Sequence, residues 1–390
     1  MGHSRLCKLL FDDSNEDEIM RRIPKGSTSQ RKRRQYIERD RLAGHKRLYL
    51  DYLADTPVYP PHLFRRRFWM SRSLFLRIQS KVETYGPYFI QKRDNAQRLG
   101  LSSLQKITTA LRMIAYGVVV DFMDEYVQIG ESTAIESLKK IVKAVVDIFS
   151  KEYLRSPNNE DIARLLVNGV RRGFPGMLRS IDCMHWKWKN CPTTWKGQYS
   201  GHIHESTIVL EAVALFDLWI WHAFFGLPGS NNDINVLEWS PIFSKLEQGC
   251  APVVNYLING HEYTMGYYLA DGIYPKWSTF VKTIPSPQGH KIKLFAKAQK
   301  ANRKDVERAF GVLQARFAIV RGPARFFYSE TLQDIMKACV ILHNMIVEDE
   351  RDVNEVVEVD YEQIDDNPTI QLSREHTNEF TEFIETHQCI

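Results

Sequence analysis

The hydrophobic pattern of this chain changes once, at the turn-rich GFPG segment of residues 173–176. Before it, apolar residues recur at spacings of three and four, as Ile107, Leu111 and Ile114 do, which is the pattern of an amphipathic helix. After it, short runs rich in β-branched and aromatic residues alternate with turn material, which is typical of strands. The change predicts a helical region followed by an α/β domain.

The region after the turn predicts the order of elements in that α/β domain, residues 174–347. Three successive strands are predicted in MLRSIDCMHWKW, STIVLEAVALFD and WIWHAFFGL. A capped helix in PGSNNDINVLEWSPIFSKLE and a strand in TMGYYLAD follow. Two closing helices are predicted from about Asn302 to Phe317 and from Glu330 to Val347.

Residues 61–170 predict a helical domain. The helix in LQKITTALRMIAYG should stop at Gly117, and the one in ESTAIESLKKIVKAVVDIF should be capped by Ser132 or Thr133. With the short DFMDEYVQIG element between them, these helices are compatible with a helix-turn-helix that enters a DNA groove. Any small helical bundle has the same pattern, so the DNA-binding interpretation stays open.

The two ends of the chain carry opposite charge. Residues 1–60 form a basic, partly disordered segment containing Arg31, Lys32, Arg33 and Arg34, and residues 348–390 form an acidic tail. The basic cluster predicts either a nuclear import signal or a phosphate-binding arm. Six scattered cysteines, no secretory leader and no apolar run of membrane-spanning length predict an intracellular protein without a membrane partner.

Three acidic residues could form a catalytic metal site. Asp182 and Asp271 each stand at the end of a predicted strand, where an α/β sheet presents side chains to a ligand, and Glu307 lies on a predicted helix. Converging carboxylates suit Mg²⁺ or Mn²⁺, and a pair of such ions can cleave a phosphodiester. In the alternative reading, Asp271 is a turn residue and Glu307 pairs with Arg303 one turn earlier.

Two further residues are candidate accessory ligands. Asp233 either binds a metal or substrate or caps the helix that follows it. His185 either orients a carboxylate or phosphate or is an ordinary hydrogen-bonded histidine. A zinc site of Cys183, His185 and Cys191 is not expected, because strand alternation turns Cys183 away from Asp182 and no second ligand pair has zinc spacing.

Basic residues cluster around Glu307. They are predicted to hold DNA by its phosphates, unless they are only a solvated helix face. The candidates are Lys291, Lys293, Lys297, Lys300, Arg303, Lys304 and Arg308.

Five ordered motifs, SIDCMHW, GLPGSNNDINVL, YYLADGIYPKW, NRKDVERAFGVLQARF and CVILHNMIVEDE, resemble the catalytic region of plant PIF/Harbinger transposases and Harbinger-derived nucleases. The resemblance covers about residues 60–350. It implies an RNase H-like fold of the DDE transposase and integrase type, with Asp182, Asp271 and Glu307 as the catalytic, metal-binding triad.

The same resemblance implies a function and partners. The activity would be metal-dependent DNA endonuclease and strand transfer at transposon terminal inverted repeats, by two-metal hydrolysis and transesterification. DNA, a Myb/SANT-like accessory protein and a second copy of the chain would be partners, in the nucleus. Relatives also include domesticated, non-catalytic DNA-binding or chromatin proteins, which is the alternative function.

Overall fold

The computed structural model describes residues 37–117, 120–201, 204–242, 253–258 and 260–354. The basic cluster Arg31–Arg34 and the acidic tail beyond residue 354 lie outside these ranges, so the predictions for them stay predictions. No helix within these ranges has both the length and the apolar character needed to cross a bilayer.

Helices occupy most of residues 41–171, and the first of them precedes the segment 61–170 for which helices were predicted. They are α1 Arg41–Tyr52, α2 Pro61–Phe68, α3 Arg72–Tyr85, α4 Ser103–Tyr116, α5 Val120–Val127, α6 Glu131–Tyr153 and α7 Asn159–Arg171. Helix α4 begins at a capping box of Ser102 and Gln105 and ends at Gly117, whose φ of 57° is left-handed, which confirms the predicted stop.

The predicted cap of α6 is wrong. Neither Ser132 nor Thr133 caps this helix; its N-cap is Gly130, which has extended backbone and no capping side chain. The Gly130 carbonyl accepts the first helical hydrogen bond from the Ala134 N–H at 2.9 Å. The helix therefore begins before either predicted capping residue.

The second half of the chain is a mixed α/β structure, as predicted. Its strands are β1 Met177–Lys187, β2 Thr207–Ala214, β3 Ile220–Pro228, β4 Val253–Ile258, β5 His261–Met265, β6 Tyr267–Ala270 and β7 Phe280–Lys282. Its helices are α8 Lys196–Tyr199, α9 Asp233–Trp239, α10 His290–Arg316, α11 Ala318–Arg321 and α12 Ser329–Asn354.

Five of these strands form one sheet in the order β3-β2-β1-β6-β7. Strands β1, β2 and β3 pair antiparallel, whereas β6 lies parallel to β1 and β7 parallel to β6. The three predicted consecutive strands are thus confirmed. The predicted strand TMGYYLAD is instead divided at Gly266 between β5, which forms a separate hairpin with β4, and β6.

Helix α10 covers the sheet and is longer than predicted. It begins at His290 rather than near Asn302, so the basic HKIKLFAKAQK segment forms its first turns. Its apolar side chains Val306, Ala309 and Leu313 are fully buried. The Ser180 Oγ of β1 donates to the Asn302 carbonyl at 3.0 Å, which ties the middle of α10 to the central strand.

Helix α6 packs into the interior rather than standing free. Its stripe of Leu138, Ile141 and Val145 is fully buried in one core that it shares with α12 and the sheet. A recognition helix needs an accessible face that can enter a groove. The packing favours a structural role for α6, and DNA contact by this segment stays a prediction.

Helix α12 pins the start of β3 with two buried polar residues of the CVILHNMIV motif. The Asn344 amide donates to the carbonyls of Ile220 at 2.7 Å and Tyr153 at 2.8 Å, and its oxygen accepts from the Ile220 N–H at 2.9 Å. The His343 Nε2 lies 2.8 Å from the Leu218 carbonyl. These contacts satisfy backbone groups that would be costly to bury unpaired, so this motif is structural.

The helix also continues to Asn354, past the residue 348 at which the acidic tail was expected to begin. The first acidic residues of the expected tail have partners in the helical region: Glu350 pairs with Arg65 at 3.1 Å, and Glu348 pairs with Arg77 at 3.6 Å. Residues 348–350 therefore belong to the folded part of the chain.

Candidate active site

The central strand and its parallel neighbour position the first two acids. Asp182 lies within β1, not at its end as predicted, because antiparallel pairing with β2 extends β1 to Lys187. Asp271 directly follows β6, as predicted. Ser180 pairs with Leu269 at the end of this parallel ladder, and Asp182 and Asp271 each follow two residues later on their own strands. Asp182 thus stands where the parallel part of the sheet ends.

The third acid, Glu307, reaches the same place through an arginine. The Arg303 Nη1 lies 3.3 Å from the Asp182 Oδ2, and its Nη2 lies 2.8 Å from the Glu307 Oε1. The pairing of Glu307 with Arg303 one turn earlier, predicted as the alternative to a metal site, is confirmed. The same guanidinium also brings Glu307 close to Asp182.

The environment of Asp182 opposes its negative charge. The pKa of Asp182 is raised to about 6, chiefly by burial and also by the charges of Asp233 and Glu307, although the Cys183 N–H and Arg303 act to lower it. The Cys183 N–H donates to the Asp182 Oδ1 at 2.9 Å. An additional cation would therefore stabilise the ionised form of this carboxyl group.

Asp233 joins this group from helix α9. Asn232, not Asp233, is the N-cap, because the Asn232 Oδ1 accepts from the Asn235 N–H at 2.9 Å. The capping alternative for Asp233 is therefore wrong. Burial raises the pKa of Asp233, as do the charges of Asp271 and Glu211, while a hydrogen bond with Cys183 and the proximity of His185 lower it.

The other candidate ligands lie around these acids. His185 is exposed, and its Nδ1 lies 3.1 Å from the Thr207 Oγ1. Cys183, which strand alternation predicted to turn away from Asp182, has its Sγ 3.8 Å from the Tyr274 hydroxyl. Burial raises the pKa of the Cys183 thiol far above neutral, so the thiol stays protonated and is a poor zinc ligand.

No ready-made cage of three histidine, cysteine, aspartate or glutamate side chains for a metal ion occurs within the described ranges. At the acids, Arg303 lies between Asp182 and Glu307. The donor set nevertheless fits Mg²⁺ or Mn²⁺, because it consists of hard carboxylate oxygens whose mutual repulsion a divalent ion would relieve. Asp182, Asp271 and Glu307 are the residues that would hold such an ion.

Sequence reasoning missed a buried acid behind the site. Glu211 on β2 is fully buried; its Oε2 accepts a hydrogen bond from the Ser240 Oγ and lies 3.2 Å from the His222 Nε2. Its other oxygen, Oε1, has no hydrogen-bond partner. Ser240 is the C-cap of α9, so this contact anchors the helix that carries Asp233. The signal was present: a single charge within the apolar run IVLEAVALF requires a partner.

The basic candidates on α10 divide into two groups. Lys304 and the predicted phosphate-binding lysines before it are exposed, namely Lys291, Lys293, Lys297 and Lys300. Arg303 turns inward, with 13% of its side chain exposed, and Arg308 pairs with the buried Asp305. We call Lys293, Lys297, Lys300 and Lys304 the lysine stripe, because spacings of four, three and four place them on one helical face.

Comparison with known proteins gives the family. A family model described as Plant transposon protein matches residues 151–354, and one described as Domain of unknown function (DUF8418) matches residues 44–83. No curated protein and no solved structure matches the chain. The first match spans the sheet, the four acids and helix α10, more than half of the 390 residues. The chain belongs to the plant transposon protein family.

Proposed function

We propose that this transposase-related protein is a DDE endonuclease and strand transferase of the PIF/Harbinger type, with Asp182, Asp271 and Glu307 as its catalytic acids. One observation carries the proposal: Asp182 and Glu307 contact the same guanidinium, and Asp271 follows the parallel neighbour of the strand that holds Asp182, two residues past the last pair, as Asp182 does. Acids from a central strand, a neighbouring strand end and a covering helix thus approach one another.

The sheet supports an RNase H-like interpretation of the fold. Three antiparallel strands are followed by two strands parallel to the first, with β1 in the centre of the order β3-β2-β1-β6-β7. An RNase H-like domain has a five-stranded mixed sheet of this kind. Its first acid lies on the central strand, as Asp182 does here.

The chemistry follows from the positions of these groups. Bound Mg²⁺ or Mn²⁺ would supply the Lewis acid that activates the attacking oxygen and stabilises the leaving oxygen. The carboxylates of Asp182, Asp271 and Glu307 would be its ligands. Asp233 lies close enough to raise the pKa of Asp182 and is the candidate accessory acid, and His185 lies near Asp233.

The lysine stripe would bind the phosphate backbone of DNA. It follows the exposed face of α10 towards Glu307, so a strand held along it would lead to the acids. Replacing Lys297 and Lys300 by Gln should weaken DNA binding. It should also reduce the salt slope, the steepness with which log K falls with log[salt], by about 2, since each lost phosphate contact contributes about 0.9.

Two lysines of α6 provide the matched control for that experiment. Lys140 and Lys143 are also exposed, and they lie on the third element of the predicted helix-turn-helix. The K140Q/K143Q variant should leave the salt slope unchanged. If instead this variant alone reduced the slope, DNA would be bound by the helical region and not by the lysine stripe.

Partners and location follow from the resemblance. We propose a Myb/SANT-like accessory protein for recognition of the transposon ends, a dimer or higher oligomer that joins two ends, and a nuclear location. Deleting Arg31–Arg34 should reduce nuclear accumulation of a tagged chain if this cluster is its import signal. Unchanged accumulation would leave the cluster as a phosphate-binding arm.

Cleavage of labelled terminal-repeat DNA tests the main proposal. The purified protein should be assayed with and without the Myb-like partner in Mg²⁺, Mn²⁺ and EDTA, beside the D182N, D271N and E307Q variants. We expect metal-dependent cutting that all three substitutions abolish. Cutting at the wild-type rate by D182N would contradict the proposed site.

A second function has an observation in its favour. Arg303 occupies the space between two of the acids, as a permanent structural ion pair would. A domesticated protein that binds DNA or chromatin without cutting could retain the acids in this way. DNA binding without cleavage under any metal condition would favour this function over the first.

A further inference from the structure

Arg303 is the cation at the centre of the candidate site. Its guanidinium contacts Asp182 and Glu307 with two different nitrogens, and only 13% of its side chain is exposed. Its remaining nitrogen, Nε, is buried and has no hydrogen-bond partner. The arginine is therefore held by the two acids and not by a complete set of hydrogen bonds.

The charges around Arg303 do not balance. Asp182 and Glu307 share this one guanidinium, while the charge of Asp233 also acts on Asp182 and that of Asp271 on Asp233. The four acids thus interact as one group, and Arg303 contacts two of them. A divalent ion between Asp182 and Glu307 would bind the same two carboxylates that the guanidinium bridges, so the two cations compete for them.

We propose that Arg303 is the built-in counter-cation of the metal-free site and that divalent metal ions displace it from Asp182 and Glu307. This inference rests on the proposed metal-dependent function. The guanidinium holds the acids together before the metal binds, and its departure is part of metal binding. Arg303 is thus a positioning residue that competes with the metal and not a metal ligand.

Calorimetric titration of the purified full-length protein with Mn²⁺ tests this competition. The titrations should be made at pH 8, at which protons do not compete for Asp182. The R303Q variant should bind Mn²⁺ about tenfold more tightly than the wild type, because the ion no longer has to displace a positive charge. R303K should lie between the two, since lysine keeps the charge but loses the fork that contacts both acids.

K140Q is the matched control, because it removes one exposed positive charge from helix α6 and leaves α10 and the acids unchanged. Its Mn²⁺ affinity should equal that of the wild type. Wild-type binding with equal or weaker binding by R303Q would overturn the inference about Arg303 alone. Absence of Mn²⁺ binding by both wild type and R303Q would overturn the proposed metal site and, with it, this inference.

Thermal unfolding without metal provides a second readout. R303Q should melt at a lower temperature than the wild type, since the acids lose their counter-cation. Adding D182N to R303Q should recover part of that loss, because it removes one of the repelling charges. A double variant that melts no higher than R303Q would show that Arg303 acts only through packing and would overturn the proposal.

Discussion

Two ion-pair centres lie within four residues of each other on helix α10, and their charge balance is opposite. The fully buried Asp305 accepts from two arginines, Arg172 and Arg308. At the neighbouring centre one arginine, Arg303, is shared by two acids. A buried acid with more cations than it needs is a structural tie, whereas acids that outnumber their cations form a site that can receive another cation.

The difference in position supports the same distinction. Asp305 ties α10 to the C-terminal end of α7 through Arg172 and is closed to solvent. Asp182 and Glu307 keep 17% and 42% of their side chains exposed, so ions and substrate can reach them. Both centres need the same helix, but only one of them is open to solvent.

The largest expected effect is the loss of activity in D182N. Its cleavage rate should fall at least about a thousandfold, because the first metal ligand is lost. Its free energy of unfolding should equal or exceed that of the wild type, since the substitution removes a charge that its surroundings oppose. Single-turnover cleavage and denaturant unfolding measure the two effects. A large loss of stability in D182N would show that Asp182, like Asp305, is a structural tie.

The second effect is the loss of stability in D305N. The free energy of unfolding should fall by about 3 kcal/mol, because a buried ion pair loses its acid while two arginines keep their charge. Urea unfolding followed by circular dichroism measures this change. An unchanged midpoint would remove the contrast between the two centres.

The pH dependence of stability gives the third effect. Because its pKa is raised, Asp182 binds a proton more tightly in the folded protein than in the unfolded chain. Protonation of Asp182 therefore stabilises the fold fully below its unfolded pKa, near 4, and this stabilisation is lost as pH rises through about 6. Between pH 4 and pH 7.5 the wild type should lose about 2 kcal/mol relative to D182N. Urea titrations of both proteins across this pH range measure the difference. If the stability of both proteins changed equally with pH, Asp182 would not be the source of this pH dependence.

The smallest effect concerns Glu211, which is fully buried like Asp305. Its hydrogen bond from Ser240 anchors α9, so S240A should lower the free energy of unfolding by about 1 kcal/mol. S278A, at an exposed serine in the loop before β7, should leave it unchanged. Equal midpoints for wild type and S240A would show that this contact contributes nothing to stability.

The sequence predicted local features of the fold better than features that depend on pairing between distant segments of the chain. The end of the predicted strand TMGYYLAD at Asp271 was correct, because the glycine and proline that follow in the sequence have local backbone preferences that stop a strand. The β4–β5 hairpin was missed although an Asn-Gly pair stands at residues 259–260, which is a strong hairpin signal. Asp182 was predicted at a strand end but lies within β1, where it pairs with Ala212 of β2, a pairing that no local pattern contains.

The candidate site shows the same limit. Residue type and motif order predicted the three acids, and helical spacing predicted the pair of Arg303 and Glu307. That Arg303 also reaches Asp182 depends on how α10 packs against β1, which its spacing in the chain cannot show. The role of Asp305 was not predicted, because its partner Arg172 comes from a distant helix.

The most direct test of the central claim needs no knowledge of the DNA sequence that the protein cuts. It is the change in melting temperature of the purified protein when saturating Mn²⁺ is added, compared among wild type, D182N, D271N, E307Q and D305N. We predict a rise of several degrees for wild type and D305N, because a ligand that binds only the folded state stabilises it. D182N, D271N and E307Q should lose most of that rise. A rise of equal size in all five proteins, or in none, would contradict a metal site built from these acids.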